Sequence, residues 1–220
     1  MVARSPSPAP TVEEVRRATV EGRRALAATL ADLSPQQWDA PSLCAGWRVR
    51  EVVAHLSMPF RYSGGQIAVG MLRARGSWDR LADRAARADA AAMSTAELVA
   101  AVRDNAEHPW KPPGGGYLGA LTHDTVHGLD VTAALGLPPA VPPERLEPVL
   151  GALTTPRTLR HFGIALDGVE LRADDLDWSL GSGTPVSGAA ADLALVLSGR
   201  RLPAGRLAGR DAGRLTGQPV

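Results

Sequence analysis

A chain of 220 residues, 45% hydrophobic and 21% charged, is long enough and apolar enough to bury a core, which excludes global disorder. A formal net charge of +1 gives no electrostatic basis for binding nucleic acid or an anionic membrane. The single cysteine, Cys44, excludes an intrachain disulfide, and no apolar run is long enough to span a bilayer. The start, Met1 to Pro8, lacks the apolar stretch of a signal peptide, so a cytoplasmic location is expected.

Residues 1–10 are rich in proline and serine and read as a disordered tail. A helix is predicted from Thr11 or Val12 to Leu33, with Val12, Val15, Thr19, Leu26, Leu30 and Leu33 as its apolar stripe. Ser34-Pro35 ends it, because proline disfavours helix in the residue before it. A loop from Trp38 to Gly46 leads to a second helix starting near Trp47, with Val49, Val52, Val53 and Leu56 inward. Pro59 is expected to kink or end that helix, and helical character resumes from Ile67 to Arg75.

Residues 76–93, rich in alanine and charge, give no decisive pattern. Ser94 and Glu97 then stand at the reciprocal positions of a capping box, opening a third helix that runs to about Glu107. Pro109 to Gly116 is a loop, and a fourth helix follows from about Tyr117 to Leu135, closed by Gly136 and the prolines after it. Beyond that, Pro142 to Arg160 reads as helical. Val169 to Ala173 and Leu176 to Leu180 alternate like the arms of a hairpin around Asp174-Asp175. Ser187-Gly188 introduces an apolar helix from Ala189 to Leu197, and the end of the chain has few core-forming residues.

The chemistry-bearing pattern lies in the fourth helix, His123-Asp124-Thr125-Val126-His127-Gly128-Leu129-Asp130. Histidines four apart share one helix face and can grip one ion. His55, three residues after Val52 in the second helix, points toward the same interior. The three imidazoles would bind one divalent metal and leave a coordination position open. Asp130, one turn after His127, is placed to accept a hydrogen bond from the ring nitrogen that the metal does not use. Asp124 is expected to turn away from His123 and to cap or pair with an arginine, the alternative for it being a further metal ligand. Trp38 and Trp47 are expected to brace the loop rather than line a site, and Cys44, in a Pro/Gly turn, carries no mark of a thiolate.

Trp38, Pro41-Ser42-Leu43-Cys44-Ala45-Gly46-Trp47 and Val49 to Leu56 resemble the amino-terminal signature of mycothiol-dependent maleylpyruvate isomerase-like proteins. Val126-His127-Gly128-Leu129-Asp130 resembles their second metal motif. Val169-Glu170-Leu171, Trp178, Val186 to Leu193 and Leu197-Ser198-Gly199-Arg200 resemble their small second domain, so the likeness runs from about Val12 to Arg210. It implies a mainly α fold: a DinB-like four-helix bundle with a small α+β C-terminal domain. The expected division is a tail at 1–10, the metal-binding bundle at 11–140, the C-terminal domain at 141–210 and a tail at 211–220.

The resemblance also implies His55 and His127 as metal ligands and a third at position 123, where the family commonly has glutamate and this chain has His123. That departure removes a negative charge from the ion's ligands. Imidazole donors suit zinc first, with nickel, iron or copper compatible. Arg200 matches a position where an arginine would bind a substrate carboxylate as a catalytic residue. The alternative for it is a helix-end cation. The implied function is an enzyme, monomeric or homodimeric, that uses mycothiol as a low-molecular-weight thiol cosubstrate. It would act on a small molecule through a metal-activated thiolate, as an isomerase or a thiol S-transferase. The alternative is a non-catalytic metal-binding or ligand-sensing bundle.

Overall fold

A computed structural model of the chain describes residues 10–216. The proline-rich tail expected at the start lies outside the described residues apart from Pro10, as does the end of the chain after Thr216.

Helix α1, Val12–Ala31, starts on a capping box in which Thr11 and Glu14 exchange hydrogen bonds, and it buries Val15, Thr19, Leu26 and Leu30. Val12, expected on its inner stripe, is 63% exposed. The one-turn helix α2, Pro35–Trp38, and a loop lead to α3, Val49–Arg61. Pro59 does not end α3. It sits in the last turn, close enough to the end that the helix loses only one ladder bond and stops at Arg61. Helix α4, Gly64–Arg73, is followed by α5, Trp78–Ala92, over residues whose sequence was indecisive. Helix α6, Thr95–Arg103, and α7, Gly116–Thr132, end earlier than expected, at a C-terminal Asp104 and Ala133. The turn after α7 closes through Leu137 N–H to Thr132 O at 2.8 Å. Gly136 takes the positive φ, +66°, that this turn needs.

Helices α1, α6, α3 and α7 form a closed ring in which each packs on the next, which is the expected four-helix bundle. Helix α5 lies outside it against α3. The interior is built from Leu26, Leu30, Val49, Val52, Val53, Leu98 and Val131, with Trp38 among them.

Helix α8, Glu147–Leu153, packs on α7, and α9, Pro156–Phe162, follows it. The expected hairpin is present: β1, Val169–Ala173, pairs antiparallel with β2, Ser179–Gly181, placing Leu171 opposite Leu180. A strand absent from the sequence reading, β3, Thr184–Gly188, pairs parallel with β1, and the two-residue β4, Leu207–Ala208, completes the order β2-β1-β3-β4. Helix α10, Ala190–Leu197, is buried on all sides, and Asp175 accepts the Ala190 N–H at 2.7 Å. Helix α11, Ala212–Thr216, lies in the stretch expected to be tail and buries Leu215.

Residues beyond 140 do not have a core to themselves. One apolar cluster joins Leu150, Leu171, Leu193 and Leu195 to Val15, Leu121, Val126 and Leu129 of the bundle. The boundary expected near residue 140 is thus a change of architecture with continuous packing across it. Among the described residues no helix is long and apolar enough to cross a membrane.

The capping box that announces α6 is formed, with the Glu97 N–H donating to Ser94 Oγ at 3.2 Å and the Ser94 N–H donating to Glu97 at 2.7 Å. Ser94→Ala is expected to cost about 1 kcal/mol, read as a fall in the urea midpoint with an unchanged slope. An unchanged midpoint would mean that tertiary packing alone fixes this helix end.

Candidate metal centre

The loop before α3 is tied at both ends. Leu43 N–H donates to the backbone carbonyl of Asp130 at 3.1 Å, and Pro41 bridges Arg48. Arg48 N–H donates to Glu51 at 2.8 Å, fixing the first turn of α3. Two turns of that helix carry His55 to the interior, 7% exposed and flanked by buried Ala54 and Leu56. From α7, the turn between His123 and His127 brings both rings to the same place.

The donor atoms of His55, His123 and His127 all lie within 4.8 Å of one another. His55 Nε2 and His123 Nε2 are 3.1 Å apart. His123 Nδ1 faces Asp124 Oδ1 at 2.9 Å and His127 Nδ1 faces Asp130 Oδ2 at 3.0 Å. A carboxylate only accepts, so both α7 rings carry their proton on Nδ1 and present an unprotonated Nε2. The proton between His55 and His123 then belongs to His55 Nε2, which donates to His123 Nε2, and the buried His55 Nδ1 has no hydrogen-bond partner among the described residues. With that proton moved to His55 Nδ1, three imidazoles would offer nitrogens at a spacing that fits a divalent ion, whose bonds to nitrogen are about 2 Å. They suit zinc and its neighbours better than magnesium or calcium.

Burial governs the charges. Desolvation first, then His127, His123 and Arg200, pushes His55 down to about 2. Desolvation also lowers His127. Asp124 and Asp130 stay ionised below the usual carboxylate range. Burial opposes this in both, but His123 and Arg23 outweigh it at Asp124, as do Arg200 and His127 at Asp130. Since the unfolded state binds a proton at His55 near pH 6.5 and the folded state refuses it, stability from this residue is complete above 6.5 and falls as the pH drops below it. In metal-free protein the expected slope from His55 steepens below pH 6.5 and approaches about 1.4 kcal/mol per pH unit near pH 5, with His127 adding in the same direction. Urea unfolding across this range checks it. A curve that is flat there, or equally steep in His55→Ala, would contradict it.

Asp130 is fully buried and links two parts of the chain. Arg200, just after α10, grips it through Nε to Oδ1 at 2.9 Å and Nη2 to Oδ2 at 2.8 Å, and donates Nη1 to Ser198 O at 2.7 Å. The fork expected to hold a substrate is therefore engaged with Asp130. One N–H on each Nη is left over, on a side chain that lines the cleft. Asp124 departs from expectation in one respect: it pairs with an arginine, Arg23, but it also turns toward His123.

The histidines lie in a cleft of about 870 Å³, whose lining includes Trp47, Trp78, Pro112, Leu118, Phe162 and Arg200. Its walls come from both the bundle and α8–α9. Trp38 does not line the cleft and is buried in the bundle core, whereas Trp47, expected only to brace the loop, is a cleft wall: its ring lies 5.1 Å from His55, and its Nε1 donates to Asp83 at 2.8 Å. Trp110, not singled out in the sequence, stands 5.1 Å from the His123 ring. Cys44 also lines the cleft, and Cys44, His127 and Asp130 form a second close donor group. Both Asp130 oxygens are already engaged, however, and burial pushes the Cys44 thiol up to about 11, which keeps it protonated.

The family model of the mycothiol maleylpyruvate isomerase N-terminal domain matches residues 19–176. Among solved structures, a mycothiol-dependent maleylpyruvate isomerase aligns with 91% of this chain and 93% of its own at 15% identity, with a TM-score of 0.56. A histidine-to-alanine mutant of a mycothiol-dependent maleylpyruvate isomerase aligns over the same shares at 14% identity and a TM-score of 0.54. At those identities the two structures speak for the fold. No curated protein sequence gives a significant match. With a family model covering most of its length and a bundle of the corresponding fold, the chain belongs to the mycothiol maleylpyruvate isomerase N-terminal domain family.

Proposed function

We propose that the protein is a metal- and mycothiol-dependent enzyme acting on a small molecule with a conjugated double bond, as an isomerase or a thiol S-transferase. The observation that carries this reading is the convergence of three imidazole nitrogens in an open cleft, in a chain of this family. His55, His123 and His127 would hold the ion, zinc first among the candidates. When bound, a divalent ion supplies a positive centre that makes a thiol a thiolate at neutral pH.

The remaining work falls to the protein. Asp124 and Asp130 hold the α7 rings in the tautomer that presents Nε2. Trp47 and the α8–α9 wall shield the reacting end of the thiol from water. Arg200 keeps its catalytic role through its two spare Nη protons, which reach an acidic substrate while the fork stays on Asp130. A sulfur that adds and then leaves gives cis–trans isomerisation, and one that stays gives S-transfer. The cytoplasm, where small thiols are kept reduced, is the setting this chemistry requires. The division into a bundle and a C-terminal cover at residue 140 fits the same scheme, the cover supplying Arg200 and one wall of the cleft.

Metal analysis joined to an assay of mycothiol-dependent substrate turnover tests the reading, with loss of free thiol marking S-transfer and its regeneration marking isomerisation. Chelator-stripped protein is expected to turn over no conjugated acid in the presence of mycothiol, and one equivalent of zinc to restore turnover. An ion that resists chelator, with neither substrate nor mycothiol changed, would favour the non-catalytic, ligand-sensing alternative.

A further inference from the structure

We infer that Arg23 and Asp124 are a positioning pair for His123, forming a His–Asp–Arg chain separate from the one through His127, Asp130 and Arg200. The inference rests on the metal-centre reading above. Arg23 Nε donates to Asp124 Oδ2 at 2.6 Å, and Asp124 Oδ1 accepts from His123 Nδ1 at 2.9 Å. The matching chain runs from Arg200 through both oxygens of Asp130 to His127 Nδ1. His55 has no counterpart: among the described residues its Nδ1 has no hydrogen-bond partner, and neither has Arg23 Nη2.

The two chains differ in what else they can touch. The Arg23 and Asp124 side chains are 3% and 10% exposed, and neither lines the cleft that holds the histidines. Arg200 does line it. Within the cleft the Arg23 chain is therefore represented by His123 alone, while the Arg200 chain can also meet substrate.

Arg23 is anchored more widely than an ordinary ion pair. Its Nη1 donates to the carbonyls of Ala106 at 3.1 Å and His108 at 2.9 Å, and its guanidinium carbon lies 4.7 Å from the Phe60 ring centroid. His108 Nδ1 accepts the Trp110 N–H at 3.2 Å, and the Trp110 ring stands against His123. One arginine of α1 thereby holds the orientation of a candidate ligand and the segment that covers it. The carboxylate on the far nitrogen of His123 would raise the donor strength of its Nε2.

Two measurements test the inference. In metal-free protein, imidazole nitrogen NMR is expected to find His123 as the Nδ1–H tautomer, and Asp124→Asn to lose that fixed state while the fold persists. An Nε2–H tautomer in the unmutated protein would overturn the pairing. This reading needs no metal, so a protein that binds no ion overturns the function proposed above and leaves the pair to be decided by the tautomer alone. Where cobalt(II) does bind, Asp124→Asn and Arg23→Gln are each expected to weaken it about 10–100-fold. In a His123→Ala background the same changes should weaken it less than about threefold, because their effect passes through that ring. Equal losses in both backgrounds would mean a general structural role and overturn the assignment.

Discussion

Replacing His127 with alanine is expected to leave the purified protein without stoichiometric metal. In the proposed metal centre His127 holds the central place. It shares α7 with His123 one turn away, its ring lies 4.9 Å from His55 and 4.8 Å from His123, and its far nitrogen is held by Asp130. If a divalent ion in a structural site of four protein donors is worth about 10–16 kcal/mol, one donor accounts for roughly 2.5–4 kcal/mol, or about two to three orders of magnitude in affinity. Mycothiol-dependent substrate turnover should vanish with the metal. Competition against a colorimetric chelator measures the loss. Retained stoichiometry in the variant would remove His127 from the ligand set, and with it the geometry on which the site is built.

Asp130→Ala is expected to be the most destabilising single change in the metal-free protein, by about 3–5 kcal/mol. The carboxylate is fully buried, and removing it strands the Arg200 guanidinium, whose side chain is only 14% exposed, together with the His127 Nδ1–H. Working without metal separates this loss from the stability that ligand binding adds. Arg200→Met should cost less in the Asp130→Ala background than alone, because the uncompensated cation is then gone. A double-mutant cycle in urea is expected to give a coupling energy of about 1–3 kcal/mol. Additive effects within about 0.5 kcal/mol would mean that the pair does not hold the C-terminal segment to the bundle.

What the sequence disclosed follows the range of the interactions involved. The bundle was readable because α1, α3 and α7 carry apolar stripes at helical spacing, and the turn after α7 carries its glycine at the right place. Helix α5 was not. Its buried face is Leu81, Ala82, Ala86 and Ala90, and alanine looks the same on an inner face as on an outer one. Strand β3 contains Pro185 between small and polar residues and exists as a strand because β1 lies parallel beside it, a pairing that local pattern cannot announce. At the site, helical spacing put His123, His127 and Asp130 on one face of α7 and His55 on the inner side of α3, and the resemblance implied that the histidines belong to one centre. Arg23 was not, since its partner Asp124 lies 101 residues away. For Arg200 the resemblance pointed to the position, but its engagement with Asp130, 70 residues distant, is a fact of the fold. Trp38 and Trp47 are the same residue type in one loop, and only the packing separates the core residue from the cleft wall.

Cobalt(II) spectroscopy of the metal-stripped protein, with and without mycothiol, tests the central claim most directly. The account predicts one equivalent of cobalt with a low-symmetry visible spectrum that is lost in His55→Ala, together with a new thiolate-to-cobalt band on adding mycothiol. A cobalt spectrum that does not respond to mycothiol would contradict an open, thiol-accepting centre.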